Sequence, residues 1–345
     1  MKKIGICGNY GGDTLSLNGQ TVKTKIITEE LEKRIGKEEI VTIDTFGGIK
    51  KLFSSVFKLW KLLSNCENII ILPAHNALRV FAPFLSFMNK FYKKRLHYVV
   101  IGGWLPEFIE KRNYLKKSLK NFDYIYVETN IMKKALEEQG YSNVLVMPNY
   151  KPLKILAEDE LIYNTEEPYK LCTFSRVTKQ KGIEDAVNAV IEVNKAKGRI
   201  CYSLDIYGQI APDYKDEFET LQNTFPDYIK YRGCVDFDKS VEVLKDYYAL
   251  LFPTKHYTEG IPGTIIDAYA AGIPVISSKW ESFSDVIDDS KLGIGYEFNS
   301  YSSLVDAITF SLEDKDKFDM YKINCIKKAE QYLPENVIDI LYRNL

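Results

Sequence analysis

Histidine is scarce in this chain, three residues in 345, and the six cysteines (Cys7, Cys66, Cys172, Cys201, Cys234 and Cys325) form no C-x-x-C pair. The first shortage leaves little for a histidine-built metal site. The second removes the zinc-ribbon and disulfide-framework readings, and cysteines inside apolar runs behave as small hydrophobes. No apolar run reaches the roughly 20 residues that span a bilayer. The opening MKKIGICGNYGG has no apolar signal-peptide core and reads as a first strand entering a glycine turn. A G-x-G-x-x-G dinucleotide fingerprint is also absent. These absences favour a protein of the reducing cytoplasm, working there or at the inner face of the plasma membrane.

The composition is that of an ordinary soluble protein, 46% hydrophobic and 27% charged. At this length two domains are expected rather than one core. The net charge of −1 hides an asymmetry. Residues 1–149 carry 23 Lys and Arg against 14 Asp and Glu, and the remainder carries 23 against 33. A basic first half either faces something anionic or is simply a solvated basic surface.

Short apolar runs alternate with helix-like stretches throughout. Strands are expected at 3–7, 40–44, 68–72, 97–101, 124–128 and 144–147. A second series falls at 170–174, 202–207, 229–231, 250–252, 275–277 and 294–296. Helical patterns occupy 21–35, 133–139, 182–195, 216–224, 240–247 and 265–271. The alternation predicts an α/β protein of two doubly wound parallel sheets facing across a cleft, with ligands at the carboxyl ends of the strands. The expected division is an N-terminal domain over 1–150, a linker over 151–168 and a second domain over 169–330. A final helix over 331–345 would pack back on the first domain.

The richest segment runs from Leu251 to Ile276, LFPTKHYTEGIPGTIIDAYAAGIPVI. A buried strand ends at Pro253, and a loop delivers Glu259 and Ile261. Gly260, Pro262 and Gly263 then lead into a helix. Its free N–H groups, at Gly263, Thr264 and Ile265, form a ready phosphate site, and Asp267 sits in its first turn, within reach of sugar or ribose hydroxyls. Upstream, Phe174-Ser-Arg-Val-Thr-Lys-Gln-Lys-Gly182 follows the second domain's first strand. Arg176 there can grip phosphate with two parallel bonds, and Lys181 adds a compact positive charge.

Together these segments resemble the E-x7-E and G-R-L-x-x-x-K-G motifs of retaining GT-B glycosyltransferases, specifically glycosyltransferase family 4. Two departures stand out: Asp267 where the family has Glu, and Ser175 where it has Gly. The resemblance implies that Glu259 contacts the donor sugar, Asp267 binds ribose, and Arg176 and Lys181 neutralise the diphosphate. Leu204-Asp-Ile-Tyr-Gly-Gln209 is similar to the family's strand-then-glycine turn, which places Gly208 at the donor. Ile229-Lys-Tyr-Arg-Gly-Cys234 resembles its nucleobase strand, which brings in Tyr231, Arg232 and Gly233. Gly11 and Gly12 fall on the family's glycine-rich loop, bordering donor phosphate and acceptor. The resemblance spans about residues 144–298.

The expected reaction is transfer of a sugar, with retention, from a nucleotide-sugar (a UDP-sugar favoured) to a glycan or polyprenyl-linked glycan acceptor in surface polysaccharide assembly. Arg176, Lys181 and the helix end take the role that a metal plays elsewhere, so no metal and no cofactor are expected. A nucleotide-sugar epimerase or hydrolase of the same architecture, or a silent donor-binding scaffold, remain the other readings. His75 ends the third strand and is a candidate catalytic residue or a structural one. Trp104 is a candidate sugar platform or ordinary core. The basic half also carries an amphipathic, aromatic stretch, with Phe53, Phe57, Trp60 and Leu63 at helical spacing among Lys51, Lys58 and Lys61. Such a helix either lies on an anionic membrane surface or packs on the core with a solvated edge. Nucleic acid is not expected, because no recognition motif accompanies the charge.

Overall fold

Ile69, Ile70 and Ile71 are consecutive and all fully buried, so both faces of their strand must be covered. That is the signature of a parallel sheet with helices on either side. The computed structural model describes residues 2–12, 19–47, 49–163, 166–313 and 315–345, with side chains left undescribed at 49–55. Its first six strands are β1 (Lys2–Gly8), β2 (Ile40–Asp44), β3 (Cys66–Ile71), β4 (Arg95–Val99), β5 (Tyr124–Val127) and β6 (Val144–Val146). The next six are β7 (Tyr169–Phe174), β8 (Tyr202–Tyr207), β9 (Ile229–Gly233), β10 (Ala249–Phe252), β11 (Val275–Ser278) and β12 (Gly293–Tyr296).

They form two six-stranded sheets, ordered β2-β1-β3-β4-β5-β6 and β12-β11-β10-β7-β8-β9, with every pairing parallel. The order reverses between β1 and β3 in the first sheet and between β7 and β10 in the second. At such switch points successive connections leave on opposite faces of the sheet, which opens a crevice at the carboxyl ends. Both sequence motifs singled out above, the one after β7 and the one after β10, emerge at the second switch point.

The chain divides into two compact units, Met1–Tyr150 with Pro334–Leu345, and Lys151–Leu333. In the first, the terminal helix Pro334–Tyr342 buries Val337, Ile338 and Leu341 in the cluster that holds Ile27 and Leu31 of helix Gly19–Ile35. Arg34 fixes the register: it donates to the Glu335 carbonyl at 2.8 Å and lies 5.3 Å over the Tyr342 ring. Much of 151–168, expected to be the interdomain linker, is packed into the second unit. Leu156 and Leu161 join its core, and the Leu156 N–H bonds the Ala270 carbonyl at 2.9 Å. The two leucines supply the apolar surface that a free linker lacks.

His97 lies in the middle of the first sheet and is completely buried. Its ring nitrogens meet the Tyr126 hydroxyl at 3.1 Å and Asn68 Oδ1 at 3.2 Å. Burial, with a smaller push from Arg95, lowers its pKa to about 3. The unfolded chain therefore binds a proton that the folded chain refuses, and stability falls as pH drops below the ordinary histidine value. This residue alone is expected to cost about 2 kcal/mol at pH 5 relative to pH 8. Urea unfolding at both pH values, with His97→Gln as the reference, measures it; an equal pH dependence in the two proteins would show that His97 is not the cause.

Candidate donor site

The site grows from two loops. After β7 the chain turns through Ser175 and Arg176, bridges Val177 to Ile210, and tightens into a turn at Lys179–Lys181. Gly182 ends that turn with φ 66°, and a Cβ there would lie 2.0 Å from the Pro253 carbonyl oxygen. Only glycine lets the β7 loop press against the loop that leaves β10. That closeness joins the motifs: Lys181 Nζ bonds Glu259 Oε1, and the Thr254 hydroxyl donates to the same oxygen at 3.3 Å. Lys181 also lies 5.1 Å over the Phe252 ring. Both members of the pair are mostly shielded, with side chains 18% and 15% exposed.

Arg176 is different. Its side chain is exposed, and among the described residues its guanidinium has no hydrogen-bond or ion-pair partner. A planar five-donor group with no internal partner is free to take an external anion.

The helix Gly263–Ala270 begins at Pro262 without a side-chain cap. Of the three N–H groups expected to be free, that of Ile265 is not: it bonds the Pro262 carbonyl at 3.0 Å, because the first turn is wound tightly. Gly263 and Thr264 keep theirs open among the described residues. Beside them the Thr264 hydroxyl is buried with no partner. An orphaned buried hydroxyl costs free energy unless a ligand or a water satisfies it. The Ile261 side chain is buried in the core, which leaves only its backbone for any donor contact.

Asp267 is not the open carboxylate that its sequence position suggests. It is 3% exposed, and Lys151 Nζ reaches both of its oxygens, at 2.5 and 2.6 Å. The Ser240 hydroxyl donates to Oδ1 at 2.8 Å. Burial raises the carboxyl pKa, while the Lys151 charge, the Lys151 hydrogen bond and Ser240 pull it back down. A carboxylate offers about four lone-pair sites, and these three bonds leave one. Lys151 runs past the helix end, its Cδ 3.6 Å from where a Cβ on Gly263 would stand, and its ammonium lies 4.5 Å over the Phe237 ring. Neither Lys151 nor Ser240 stands out in the sequence: the lysine lies 116 residues before its partner in a polar stretch.

Gly208 is held at φ 131°, where a Cβ would lie 1.8 Å from the Ser175 carbonyl oxygen, so it is glycine in order to seat the β7 loop. Its N–H bonds Gly233 O at 2.8 Å, and its own carbonyl accepts from the Tyr231 hydroxyl at 2.8 Å. Arg232 is committed to Asp205 at 2.8 Å, whose other oxygen accepts from Tyr247. These residues build one edge of the site through backbone and protein-internal bonds. In the first unit, the loop with Gly11 and Gly12 is tied to Asp44, which accepts from the N–H groups of Tyr10 and Gly12. The Asn18-Gly-Gln20 segment that follows lies partly outside the described residues.

His75 opens the helix His75–Tyr92, stacks on Trp104 at 3.8 Å and meets the edge of Phe108 at 5.0 Å. Burial, Arg79 and Arg112 lower its pKa. Trp104 spends one ring face on this stack and its N–H on the Ile101 carbonyl at 2.8 Å. As for metals, Asp236-Phe-Asp238 and Asp314-Lys-Asp316 are D-x-D tripeptides, but the first lies on an exposed turn, and Asp314 is outside the described residues. Among the described residues no group of three His, Cys, Asp or Glu side chains could hold a metal ion.

Residues 168–314, which contain both loops, match the family described as Glycosyl transferases group 1. The uncharacterized glycosyltransferase MJ1069 of Methanocaldococcus jannaschii is 24% identical over 306 residues, 81% of this chain and 74% of that protein. The chain is a GT-B glycosyltransferase. In solved structures the fold recurs along the whole transferase: sucrose-phosphate synthase from Thermosynechococcus elongatus superposes with a TM-score of 0.77 at 14% identity, covering 100% of this chain and 99% of that one. The lipopolysaccharide outer core galactosyltransferase WaaB gives 0.73 at 16%, covering 100% of both chains. The transferase also matches the GtfA subunit of a Streptococcus pneumoniae UDP-N-acetylglucosamine–peptide N-acetylglucosaminyltransferase, 26% identical over 175 residues, 49% of this chain and a third (33%) of that protein.

Proposed function

We propose that this enzyme transfers a sugar, with retention of anomeric configuration, from a nucleotide-sugar, a UDP-sugar foremost, to a glycan or polyprenyl-linked glycan of surface polysaccharide assembly. The observation that carries the donor assignment is the unsatisfied set at the second switch point: the partnerless Arg176 guanidinium, the open Gly263 and Thr264 N–H groups, and the orphaned Thr264 hydroxyl. All are donors, as a diphosphate requires. UDP is favoured because structures of the same fold, GtfA and HepE from Anabaena, hold it.

In the transfer, the bond from the anomeric carbon to the diphosphate oxygen breaks, a bond to an acceptor oxygen forms, and the acceptor hydroxyl's proton passes to the departing diphosphate. The electron pair leaves with the diphosphate, and Arg176, Lys181 and the helix-end N–H groups meet that charge without reorganising. Glu259, held by Lys181 and Thr254, accepts from donor-sugar hydroxyls. Ribose takes the last lone pair of Asp267 and the free proton of Lys151. No step calls for a metal. Acceptor choice rests on the relatives, among them WcaL of Salmonella typhimurium, described as a putative colanic acid biosynthesis glycosyltransferase.

The test is incubation with UDP-, GDP-, dTDP- and ADP-sugars and polyprenyl-linked glycans, with the product anomer read by NMR. An α-linked product from one α-linked donor is expected. A β-linked product would overturn retention, and donor consumption indifferent to acceptor would replace transfer by hydrolysis.

A further inference from the structure

The two helices of the first unit that carry the basic aromatic stretch, Ile49–Asn65 and His75–Tyr92, pack side by side. Each turns an apolar face to the core: Leu59, Leu62 and Leu63 on one, Leu78, Phe81, Ala82 and Leu85 on the other. The aromatic residues at issue are not on those faces. Phe57 is 54% exposed, Trp60 41%, Phe87 58% and Phe91 71%. Among the described residues of the first unit, only Tyr114 is a further large exposed hydrophobic, so the exposure is concentrated on this pair of helices. The two rows adjoin: the Trp60 indole N–H donates to the Tyr92 hydroxyl at 2.5 Å. Within each row the rings touch, Phe57 with Trp60 at 5.6 Å and Phe87 with Phe91 at 5.9 Å. Phe53 lies outside the described side chains.

The charges on these two helices are of one sign. Residues 49–65 and 75–95 hold nine Lys and Arg and no Asp or Glu. Lys61 lies 5.1 Å over the Phe57 ring and Lys90 5.9 Å over Phe87, which places cationic heads at the level of the exposed aromatics. Exposed rings cost free energy in water that the core does not recover, and bare lysines at the same level disfavour an apolar protein interface. Aromatic rings with basic heads around them match one environment well: the headgroup layer of an anionic bilayer, where rings insert and lysines meet phosphates. We propose that this two-helix face docks the enzyme on an anionic lipid surface. No described helix is long and apolar enough to cross a membrane, so the contact is peripheral. The proposal does not depend on the donor assignment.

Sedimentation of the full chain with vesicles tests it, using phosphatidylcholine alone and phosphatidylcholine with about one-third phosphatidylglycerol. Binding is expected to the anionic vesicles only, and to weaken as salt is raised. Each lysine near such a surface contributes about fivefold, so the combined change Lys58→Glu, Lys61→Glu and Lys90→Glu should weaken binding by about 100-fold or more. The combined change Phe57→Ser, Phe87→Ser and Phe91→Ser should do the same at low salt, with circular dichroism melting unchanged in both variants. No sedimentation, equal sedimentation with neutral vesicles, or retention by folded variants would overturn the proposal. So would light scattering that shows a dimer abolished by the serine changes, since the face would then be a contact between copies.

Discussion

Replacing Arg176 by alanine is expected to lower kcat/KM for donor turnover by about 100- to 1,000-fold, the usual cost of removing one preorganised donor from a developing charge. The melting temperature should not move, because the guanidinium is exposed and makes no bond to the described protein. That separation is what distinguishes it from Lys181. The lysine is bonded to Glu259 in a mostly shielded site, so Lys181→Ala removes a charge from the ligand and also leaves a carboxylate unpaired. Arg176→Lys is the informative partner. A lysine restores the charge but not the forked geometry, and only part of the lost rate should return. Steady-state kinetics and thermal melts on the three variants decide this. An Arg176→Ala enzyme with unchanged kcat/KM would remove the diphosphate from this site.

The second large effect falls on Lys151. Lys151→Met leaves Asp267 buried with only Ser240 as partner, and breaking a buried pair from one side typically costs about 3–5 kcal/mol. Burial already raises the carboxyl pKa of Asp267. Without the lysine the group would escape its penalty by taking up a proton. The direction follows: a carboxyl whose folded pKa is raised is tolerated at low pH and loses stability as pH rises through the unfolded carboxylate range. The variant should therefore be closer to the parent at pH 4 than at pH 8 in denaturant unfolding. Changing both residues, Lys151→Met with Asp267→Leu, should return much of the stability, since an apolar pair can replace a buried ion pair. Nucleotide binding should be lost in Lys151→Met and in the double variant alike. If it returned along with stability, the pair would be structural only, with no part in holding the donor.

Much of the fold was legible because its strands are short, apolar and separated by helical patterns. The twelve strand positions follow from that alternation, and the two parallel sheets follow from the strands. The two motifs that carry Lys181 and Glu259 stand out by their residue order, and the structure brings these two side chains into contact. What was not legible is what contacts across long sequence distances decide. The Lys151–Asp267 pair spans 116 residues and joins a polar stretch that carries no periodic signal. The Ile265 N–H was expected to be open, but a tightly wound first turn uses it. Phe57, Trp60 and Leu63 share helical spacing, yet the structure sends Leu63 to the core and the two aromatics to solvent. A helical spacing groups such residues within an arc but does not say where the core begins.

The central claim is that the loops after β7 and β10 hold the diphosphate of a nucleotide-sugar. Calorimetric titration of the full chain with UDP, GDP, dTDP and ADP, first with a chelator and then with a divalent cation, tests it most directly. One nucleotide, UDP foremost, is expected to bind without the cation, and that binding is expected to be lost in Arg176→Ala. Binding to none of the four, or binding that Arg176→Ala leaves intact, would contradict it.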